Sequence, residues 1–479
     1  MGAVCFDFVI DVTHQGTAYE EIARRIESAI LNGGLSTGDR LPSTRALASQ
    51  LKLARGTVKA AYALLAGKGF VESRAGAGTI ITAHAKEWLE RIVGDPKSRI
   101  AALADADVRD EPSPPLPFQL GLPAFDEFPR KIWSRLLVKR ARMIGAESMH
   151  YPPPTGLPRL RQEIVNYLAL ARGVVCNSEQ VLITGGYQDS LSMICDAMIG
   201  NGDRVALEDP GYMRARRILE AVGAEVVPIS VDQEGMEVEE LAKLTDPCRL
   251  AFVTPSHQFP MTVSLSRSRC DALLRWAEAN GAYVVEDDYD GEFHYVGRPP
   301  RALKSADRNE RVIYLGTFSK SLFPALRLGY LVTPPTLAKA FADVARRRGT
   351  ARPPLEQFVV ADFMKEGHFY RHLQAMRQVY RRRRDRLVKA LYSSFGNQVS
   401  IAEKGGGIHL VVRFRGLTDG AAAARAALEN GLFLLPLGAC AVRLPADPET
   451  VLLSFTNVAE TRAEALAQQL ERVLAPFIA

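Results

Sequence analysis

Apolar residues recur at helical spacing near the start of the chain, and the spacing then changes. Residues 19–31 carry an apolar stripe at helical spacing that stops at two glycines. A second helix, with Ser43 as its N-cap, and a third helix over residues 55–66 follow. Residues 69–82 contain two short β-rich runs joined by a glycine-rich turn. The pattern predicts a unit of three helices and a β-hairpin over residues 17–82.

The pattern is interrupted between residues 83 and 117. This stretch is rich in Ala and Asp and ends in Pro112-Ser-Pro-Pro-Leu-Pro117, which favours an extended and semi-rigid backbone. We therefore predict a linker over residues 83–117, with a short helix at 88–93.

From residue 118 onward, apolar runs typical of buried strands alternate with amphipathic helical stretches. The predicted strands are residues 180–184, 204–208, 225–229, 250–253, 282–286, 312–315 and 328–332. This alternation predicts an α/β body with a mostly parallel seven-stranded sheet and helices on both faces. We assign residues 118–345 to this large domain. A long Arg-rich helix and strands at 407–414, 432–435 and 451–455 predict a smaller C-terminal α+β domain over residues 346–479.

Composition narrows the class of protein. The chain has 479 residues, 47% apolar and 24% charged, with a net charge of +6, which is ordinary for a soluble globular protein. Six scattered cysteines without a Cys/His cluster predict reduced thiols and no metal site. The N-terminus is a poor signal peptide, and no apolar run approaches about 18 residues. We expect a cytoplasmic protein without a membrane segment.

The first unit has the charge expected of a DNA-binding domain. Residues 17–82 contain nine Lys and Arg against five Asp and Glu. As a winged helix-turn-helix, the unit would read double-stranded DNA with its third helix. Candidate DNA contacts are Arg55, Thr57, Lys59 and Tyr62 in the major groove, and Arg45 and Arg74 at phosphates or in the minor groove. A small helical protein-docking domain with solvated arginines is the alternative.

The order of signals in this unit resembles the GntR-type winged helix. The resemblance is carried by Tyr19, Gly38-Asp-Arg-Leu-Pro-Ser, Arg45-Ala-Leu-Ala, Arg55-Gly-Thr-Val, Ala61-Tyr62, Gly69-Phe and Gly76-Ala-Gly-Thr. Ala54 departs from the serine common in that family, which removes at most one phosphate contact. The resemblance implies DNA binding.

Chemically distinctive residues follow the predicted strands of the body. Gly185-Gly-Tyr-Gln188 opens a helix and suits a phosphate, whereas Tyr212 and Arg214 suit a planar ring and an anion. Four acids lie among Asp287-Asp-Tyr-Asp-Gly-Glu292, and Gly316-Thr-Phe-Ser-Lys320 delivers a lysine from a strand end. Partial desolvation would lower the pKa of such a lysine and suit it to form a Schiff base. Taken singly, each feature is also compatible with ordinary packing or a surface loop.

Together these residues resemble a pyridoxal 5′-phosphate site. Residues 118–479 look like the fold-type I aminotransferases, and their fusion to a GntR-type head is similar to the MocR-type transcriptional regulators. Further matching segments are Gly121-Leu-Pro, Phe128-Pro, Trp133, Tyr151-Pro-Pro-Pro-Thr-Gly, Glu208-Asp-Pro-Gly-Tyr and Pro255-Ser-His-Gln-Phe-Pro.

The resemblance implies a role for each matching residue. Lys320 would form the Schiff base, Asp287 would pair with the ring nitrogen, Tyr289 would bond the 3′-oxygen and Tyr212 would stack on the ring. The phosphate would be held by Gly186, Tyr187, Gln188, Thr317 and Arg327. Tyr151 would reach the phosphate of a neighbouring subunit, which implies a homodimer. Arg214 would hold an effector carboxylate or sulfonate.

Two positions depart from the aminotransferase pattern. The usual Pro-Thr-Gly reads Pro260-Met261-Thr262, so its glycine is missing. Leu452 stands where aminotransferases carry the arginine for the substrate α-carboxylate. This weakens the case for transamination of α-amino acids. The basic segment 377–386 is interpreted as a solvated helix face, with a second DNA contact as the alternative.

These features predict a DNA-binding transcriptional regulator that senses a small molecule through pyridoxal 5′-phosphate. The resemblance implies an effector amine such as γ-aminobutyrate or taurine, or pyridoxal 5′-phosphate itself. An active aminotransferase with an appended regulatory head is the alternative, and a DNA-binding protein with a purely structural cofactor is a third possibility.

Overall fold

The structure is a computed structural model that describes most of the chain. The described residues are 18–31, 35–74, 78–82, 114–145, 149–297, 299–349, 351–402, 405–443 and 447–479. Most of the predicted linker, including the short helix predicted at 88–93, lies outside them. The chain divides into two compact units, Met1–Asp110 and Glu111–Ala479.

The N-terminal unit contains the predicted three helices and hairpin. Its elements are α1 (Ala18–Leu31), α2 (Thr44–Leu51), α3 (Arg55–Gly67), β1 (Val71–Arg74) and β2 (Gly78–Ile81), with β1 and β2 antiparallel. The Ser43 side chain accepts a hydrogen bond from the Ala46 N–H at 3.1 Å, so the predicted N-cap is confirmed. Ile22, Leu47 and Val58 are fully buried and join the helices in one core.

Tyr62 belongs to this core, and its prediction as a DNA contact is wrong. The side chain is buried, and its hydroxyl donates to the Pro42 carbonyl at 2.8 Å. Tyr62 lies four residues after Val58 and one after Ala61, both fully buried, so it shares the inward face of α3. The buried ring ties α3 to the start of α2.

The second unit is an α/β body followed by a smaller sheet. Its α-helices are α4 (Arg130–Arg142), α5 (Pro158–Ala171), α6 (Tyr187–Met198), α7 (Met213–Ala221), α8 (Val238–Ala242), α9 (Arg267–Ala279), α10 (Pro335–Arg348), α11 (Pro354–Lys365), α12 (His368–Phe395), α13 (Gly420–Glu429) and α14 (Ala463–Leu474). The helix α10 is continuous across residues 345 and 346, where the sequence predicts the boundary between the two domains.

All seven predicted strands of the large sheet are present, and an eighth of two residues joins them. They are β3 (Val181–Thr184), β4 (Arg204–Asp209), β5 (Glu225–Asp232), β6 (Gly235–Met236), β7 (Leu250–Val253), β8 (Tyr283–Asp288), β9 (Val312–Thr317) and β10 (Gly329–Val332). The order is β3-β10-β9-β8-β7-β4-β5-β6, with β10 and β6 antiparallel to their neighbours. The strands β3, β7, β9 and β10 consist almost entirely of buried residues, which explains their continuous apolar runs.

This topology brings several strand ends to one edge of the sheet. The parallel strands β4, β7, β8 and β9 all end there. The antiparallel strand β10 begins there, with Gly329 paired to Thr184 at the end of β3 and to Thr317 at the end of β9. Residues that follow β3, β4, β8 and β9, or precede β10, are therefore neighbours in space.

The C-terminal sheet has four antiparallel strands in the order β11-β12-β14-β13. They are β11 (Val399–Ile401), β12 (His409–Phe414), β13 (Leu435–Pro436) and β14 (Thr450–Ser454). The sequence did not indicate β11, and its strand at 432–435 is wrong in extent. Leu432 and Leu434 are apolar because they are buried in the core beneath this sheet, not because they pair with a strand.

The basic segment 377–386 on α12 is partly the solvated face that was predicted, since Arg381, Arg382 and Arg386 are exposed, but two of its arginines are engaged within the body. Arg383 is buried and bonds to Asp126 and to the Thr456 carbonyl. Arg377 donates to the Glu292 carbonyl at 2.7 Å. These arginines fasten the long helix to the rest of the body.

Candidate functional site

Lys320 lies at the edge of the large sheet where the strand ends converge. The Ser319 N–H donates to Thr317 Oγ1 at 3.1 Å, which turns the chain just after β9 and presents Lys320. Lys320 Nζ donates to the Gly121 carbonyl at 2.9 Å. A Cβ on Gly121 would lie 2.5 Å from Nζ, and its φ is +79°, so only glycine fits there. The sequence pattern gave Gly121 no such contact, because the two residues are 199 positions apart.

Three of the four acids at the end of β8 and just after it have internal partners. The pairs are Asp288 with Arg172 at 2.6 Å, Asp290 with His257 at 2.9 Å, and Glu292 with Tyr167 at 2.9 Å. The Asp287 carboxylate has no hydrogen bond or ion pair within the described part of the chain. The structure therefore separates one available acid from three that hold the fold together.

The environment of Asp287 favours its protonated form. Burial raises its pKa well above the usual value, and the Asp288, Asp290 and Glu208 carboxylates raise it further. The Lys320 ammonium acts in the opposite direction, which places the two side chains within electrostatic reach of each other. A cation placed beside this carboxyl would favour its ionised form.

Aromatic rings line the same edge in a continuous row. Tyr187 contacts Tyr212 with ring centroids 5.2 Å apart, Tyr212 contacts Phe259 at 5.6 Å, and Phe259 contacts Tyr289 at 6.3 Å, all edge to face. The Tyr289 hydroxyl is buried and has no aligned hydrogen-bond partner among the described residues. Burial first, and then the Asp290 and Asp287 carboxylates, raise its pKa well above the usual value. Phe259 was not singled out from the sequence.

The predicted phosphate residues gather at the start of α6. Gly186 precedes this helix with φ +92°, so it adopts the left-handed region that favours glycine. A Cβ on Gly186 would lie 3.9 Å from Arg327 Nη1, so the guanidinium is beside the helix N-terminus. Arg327 is exposed and makes no ion pair with the part of the chain that is described. The arrangement of an unpaired guanidinium, a helix N-terminus and the nearby Thr317 suits an anion.

Arg352 is a further cation at this place that the sequence pattern did not reveal. A Cβ on Gly185 would lie 2.6 Å from Arg352 Cζ, so the guanidinium rests against the glycine backbone. Arg352 pairs with Asp189 at 2.7 Å, and the same carboxylate accepts the Gly185 N–H at 2.8 Å. No strand or motif surrounds Arg352 in sequence, which is why it was missed.

Three predicted residues lie further out. Gln188 and Arg214 are exposed in the first turns of α6 and α7. Tyr151 is 92% exposed, and its ring contacts only His150 at 5.8 Å among the ring contacts of the described residues. Among the described residues, no ring contact joins Tyr151 to the aromatic row beside Lys320.

The two departures from the aminotransferase pattern have visible consequences. Thr262, which replaces the glycine, has φ +57°. The left-handed conformation is therefore retained without glycine, at a cost of about 1–2 kcal/mol. Leu452 is fully buried in β14, opposite Val411 of β12.

In the N-terminal unit, the predicted DNA contacts lie on the outside of the helices. Arg45, Arg55 and Lys59 are exposed, and Thr57 is half-buried. Arg55 Nε donates to Thr44 Oγ1 at 3.3 Å, which joins α3 to α2. The side chain of Arg74, at the end of β1, lies outside what the structure describes.

A group of three or more His, Cys, Asp or Glu able to hold a metal is absent from the described residues. Within the same residues, no helix is both long and apolar enough to cross a membrane.

The chain matches two protein families over separate ranges. Residues 18–81 match the family described as bacterial regulatory proteins, gntR family, and residues 135–470 match aminotransferase class I and II. The chain is 35% identical to the probable rhizopine catabolism regulatory protein MocR of Rhizobium meliloti, over 90% of this chain and 88% of that protein. It is 32% identical to the HTH-type pyridoxine biosynthesis transcriptional regulator PdxR of Corynebacterium glutamicum, over 82% of each.

Solved aminotransferases share the fold of the body. The α-aminoadipate aminotransferase LysN of Thermus thermophilus, complexed with N-(5′-phosphopyridoxyl)-L-leucine, superposes with a TM-score of 0.69 at 27% identity. The match covers 76% of this chain and 92% of LysN. Relatives that match both halves are named as transcriptional regulators, which favours a regulator over an aminotransferase with an appended head.

Proposed function

The chain belongs to the HTH-type transcriptional regulators that join a GntR-type domain to an aminotransferase class I and II domain, and from this we propose that its body is a pyridoxal 5′-phosphate-dependent sensor. One observation carries the proposal. Asp287, Tyr289 and Arg327 lie at the edge that holds Lys320, and the buried Tyr289 hydroxyl has no aligned hydrogen-bond partner among the described residues. Groups of these kinds beside a lysine fit a ligand that carries a ring nitrogen, a hydroxyl and a phosphate.

Each residue has a role that follows from its place. Asp287 would pair with the ring nitrogen, Tyr289 with the 3′-oxygen, and the Tyr212 ring would cover one face of the ligand. The phosphate would be held by Gly186, Tyr187, Gln188, Thr317 and Arg327. When bound, pyridoxal 5′-phosphate supplies an aldehyde carbon that bonds reversibly to a lysine or to another primary amine.

The electrostatics of the site support this assignment. The carboxyl of Asp287 has a raised pKa because it is buried among other acids. A protonated ring nitrogen would restore the charge balance at that carboxylate, since an opposite charge within a few ångströms favours the ionised form. Lys320 would hold its proton at Nζ while donating a hydrogen bond to the Gly121 carbonyl, and would release that proton to solvent.

The site also joins the two sheets of the body. The Gly211 N–H donates to the Cys440 carbonyl at 2.8 Å, and the Val442 N–H donates to Asp209 at 2.7 Å. A ligand at this edge would lie near residues that follow β4 and near the segment between β13 and β14. We infer that a small amine, or pyridoxal 5′-phosphate itself, changes this arrangement and thereby the affinity of the N-terminal domain for operator DNA. Arg214, exposed at the start of α7, is the candidate for an anionic group of the effector.

A homodimer is part of the proposal. Tyr151 and Met149 are 92% and 76% exposed and lie two positions apart, so together they offer an apolar surface for a second copy. A second copy would cover them and bring Tyr151 to the partner's phosphate. Sedimentation of the full chain tests this against the 52.5 kDa mass of one copy.

The visible absorption spectrum tests the cofactor. Wild-type protein mixed with pyridoxal 5′-phosphate should show an absorption band in the violet. Treatment with borohydride should then attach the cofactor covalently to the chain. Lys320→Ala should lose both the absorption band and the covalent attachment, because no other lysine is proposed to lie at this edge. Lys339→Ala is the matched control, since Lys339 is 89% exposed on α10. Equal bands and equal labelling in Lys320→Ala would refute the assignment.

A further inference from the structure

Three neighbouring strands of the C-terminal sheet present apolar side chains at one level. Leu452 of β14 is paired with Val411 of β12 on one side and with Leu435 of β13 on the other. Residues paired across a sheet point to the same face, so the three side chains form a continuous row. Leu452 and Val411 are buried and pack with Cys440, while Leu435 is half-buried. This row and Cys440 are termed the apolar wall.

Two side chains connect the apolar wall to the candidate site. Leu120 packs against the wall and immediately precedes Gly121, whose carbonyl accepts a hydrogen bond from the Lys320 amine. Phe259 packs against the wall, and its ring contacts those of Tyr212 and Tyr289. The wall itself is mostly buried, and the half-buried Leu120 and Phe259 lie over it on the side of Lys320.

The wall contains no cation that could pair with an anion. Arg443 follows Cys440 by three residues, but its guanidinium is engaged with the Pro228 carbonyl at 2.6 Å, Ser230 at 3.0 Å and Glu240 at 3.1 Å. A carboxylate placed against Leu120 and Phe259 would lose its hydration without gaining a partner. That loss is costly, whereas an alkyl or aryl group in the same place gains free energy from burial.

We propose that the amine recognised beside Lys320 has an apolar body and no carboxylate on the carbon that bears its nitrogen. This inference rests on the proposed function, because it names the ligand class of the same site. The half-buried Leu120 and Phe259, which pack on the apolar wall, hold the hydrocarbon part of the ligand. An α-amino acid with the same side chain binds more weakly, because its carboxylate has no partner there.

Matched pairs of ligands test the proposal without any variant. Wild-type protein loaded with pyridoxal 5′-phosphate is titrated with 3-methylbutylamine and with leucine, and with 2-phenylethylamine and phenylalanine. Each pair differs only by the carboxylate. At equal concentrations of unprotonated amine, the amines should shift the visible band at about tenfold lower concentration, or lower still, than the amino acids. Equal or lower half-saturating concentrations for the amino acids would overturn the proposal.

Substitutions in the wall provide a second test of the proposed ligand class. Leu452→Arg should reverse the preference, because it supplies a partner for the carboxylate. Since Leu452 is fully buried, Leu435→Arg at the half-buried edge of the wall serves if the first variant does not fold. Leu428→Arg, on the exposed side of α13, is the matched control and should keep the wild-type preference. An unchanged preference in a folded wall variant contradicts the inference.

Failure of the proposed cofactor and failure of the proposed ligand class give different spectra. Absence of a visible band in wild-type protein after addition of pyridoxal 5′-phosphate would refute the proposed cofactor. A normal band that responds equally to both members of each pair would leave the cofactor in place and refute only the ligand class.

Discussion

Glu208, at the end of β4, is a buried acid whose protonation depends on the fold. Its carboxylate accepts hydrogen bonds from the Thr254 N–H at 3.1 Å and from Gln258 Nε2 at 3.3 Å. Burial nevertheless raises its pKa from the usual 4.5 to about 7. Because the folded-state pKa lies above the unfolded one, the folded chain holds this proton more tightly. Its contribution to stability is complete below pH 4.5 and is lost as the pH rises through about 7.

We expect Glu208→Gln to remove this pH dependence. Between about pH 5 and pH 8, the free energy of unfolding of wild type should fall relative to that of the variant by about 2–3 kcal/mol. Chemical denaturation without added cofactor at several pH values measures the difference. Glu471→Gln, on the exposed side of α14, is the control for the loss of one carboxylate. Parallel profiles for wild type and Glu208→Gln would show that this carboxyl does not titrate in the range.

At the scale of single residues, the sequence predicted which residue types lie in the site better than it predicted which residues they bond to. The cluster of four acids was evident, but only the fold shows that Arg172, His257 and Tyr167 occupy three of them. Contacts such as Lys320 with Gly121 join positions 199 residues apart, and periodicity carries no information about them. The same holds for Arg352 beside Gly185.

The helix α3 is the element on which the DNA-binding function depends most. It buries Val58, Tyr62 and Leu65 and leaves Arg55 and Lys59 exposed. A helix fixed on one side and basic on the other fits the recognition helix of a helix-turn-helix. The N-cap of α3, Ala54, provides no side-chain hydrogen bond, so the helix depends on its packing for its position.

Arg55→Ala should weaken DNA binding by about 1–3 kcal/mol, because it removes a contact of the recognition helix. Fluorescence anisotropy of the full chain at fixed ionic strength measures the loss. Arg24→Ala is the control because it removes the same positive charge from α1, where Arg24 pairs with Glu21. If both variants lose the same affinity, the effect is one of net charge and α3 is not the DNA-binding face.

Elements were predictable where burial alone determined the pattern. The strands β3, β7, β9 and β10 of the large sheet are buried on both faces, so their apolar runs stand out in the sequence. In the C-terminal sheet, apolar residues also belong to loops packed on the core, which led to the wrong extent for β13. Tyr62 was also misassigned, because it lies on the same helix as the candidate DNA contacts but its ring is buried.

For the molecule as a whole, the essential question is whether ligand chemistry in the body affects DNA binding. The two families match separate ranges of one chain, and relatives with the same combination are named as regulators. Coupling between two sites is a free energy that changes one affinity when the other site is filled. Lys320 lies in the body, so it affects DNA binding only if such coupling exists.

The dissociation constant for DNA selected from a random pool by the full chain measures this coupling. It should be determined with and without pyridoxal 5′-phosphate, and with the amine that shifts the visible band, for wild type and for Lys320→Ala. In wild type, filling the site should change the constant by about fivefold or more, whereas Lys320→Ala should show no response. A constant that is the same in every state of wild type, or a response that persists in Lys320→Ala, would contradict a sensor built on this lysine.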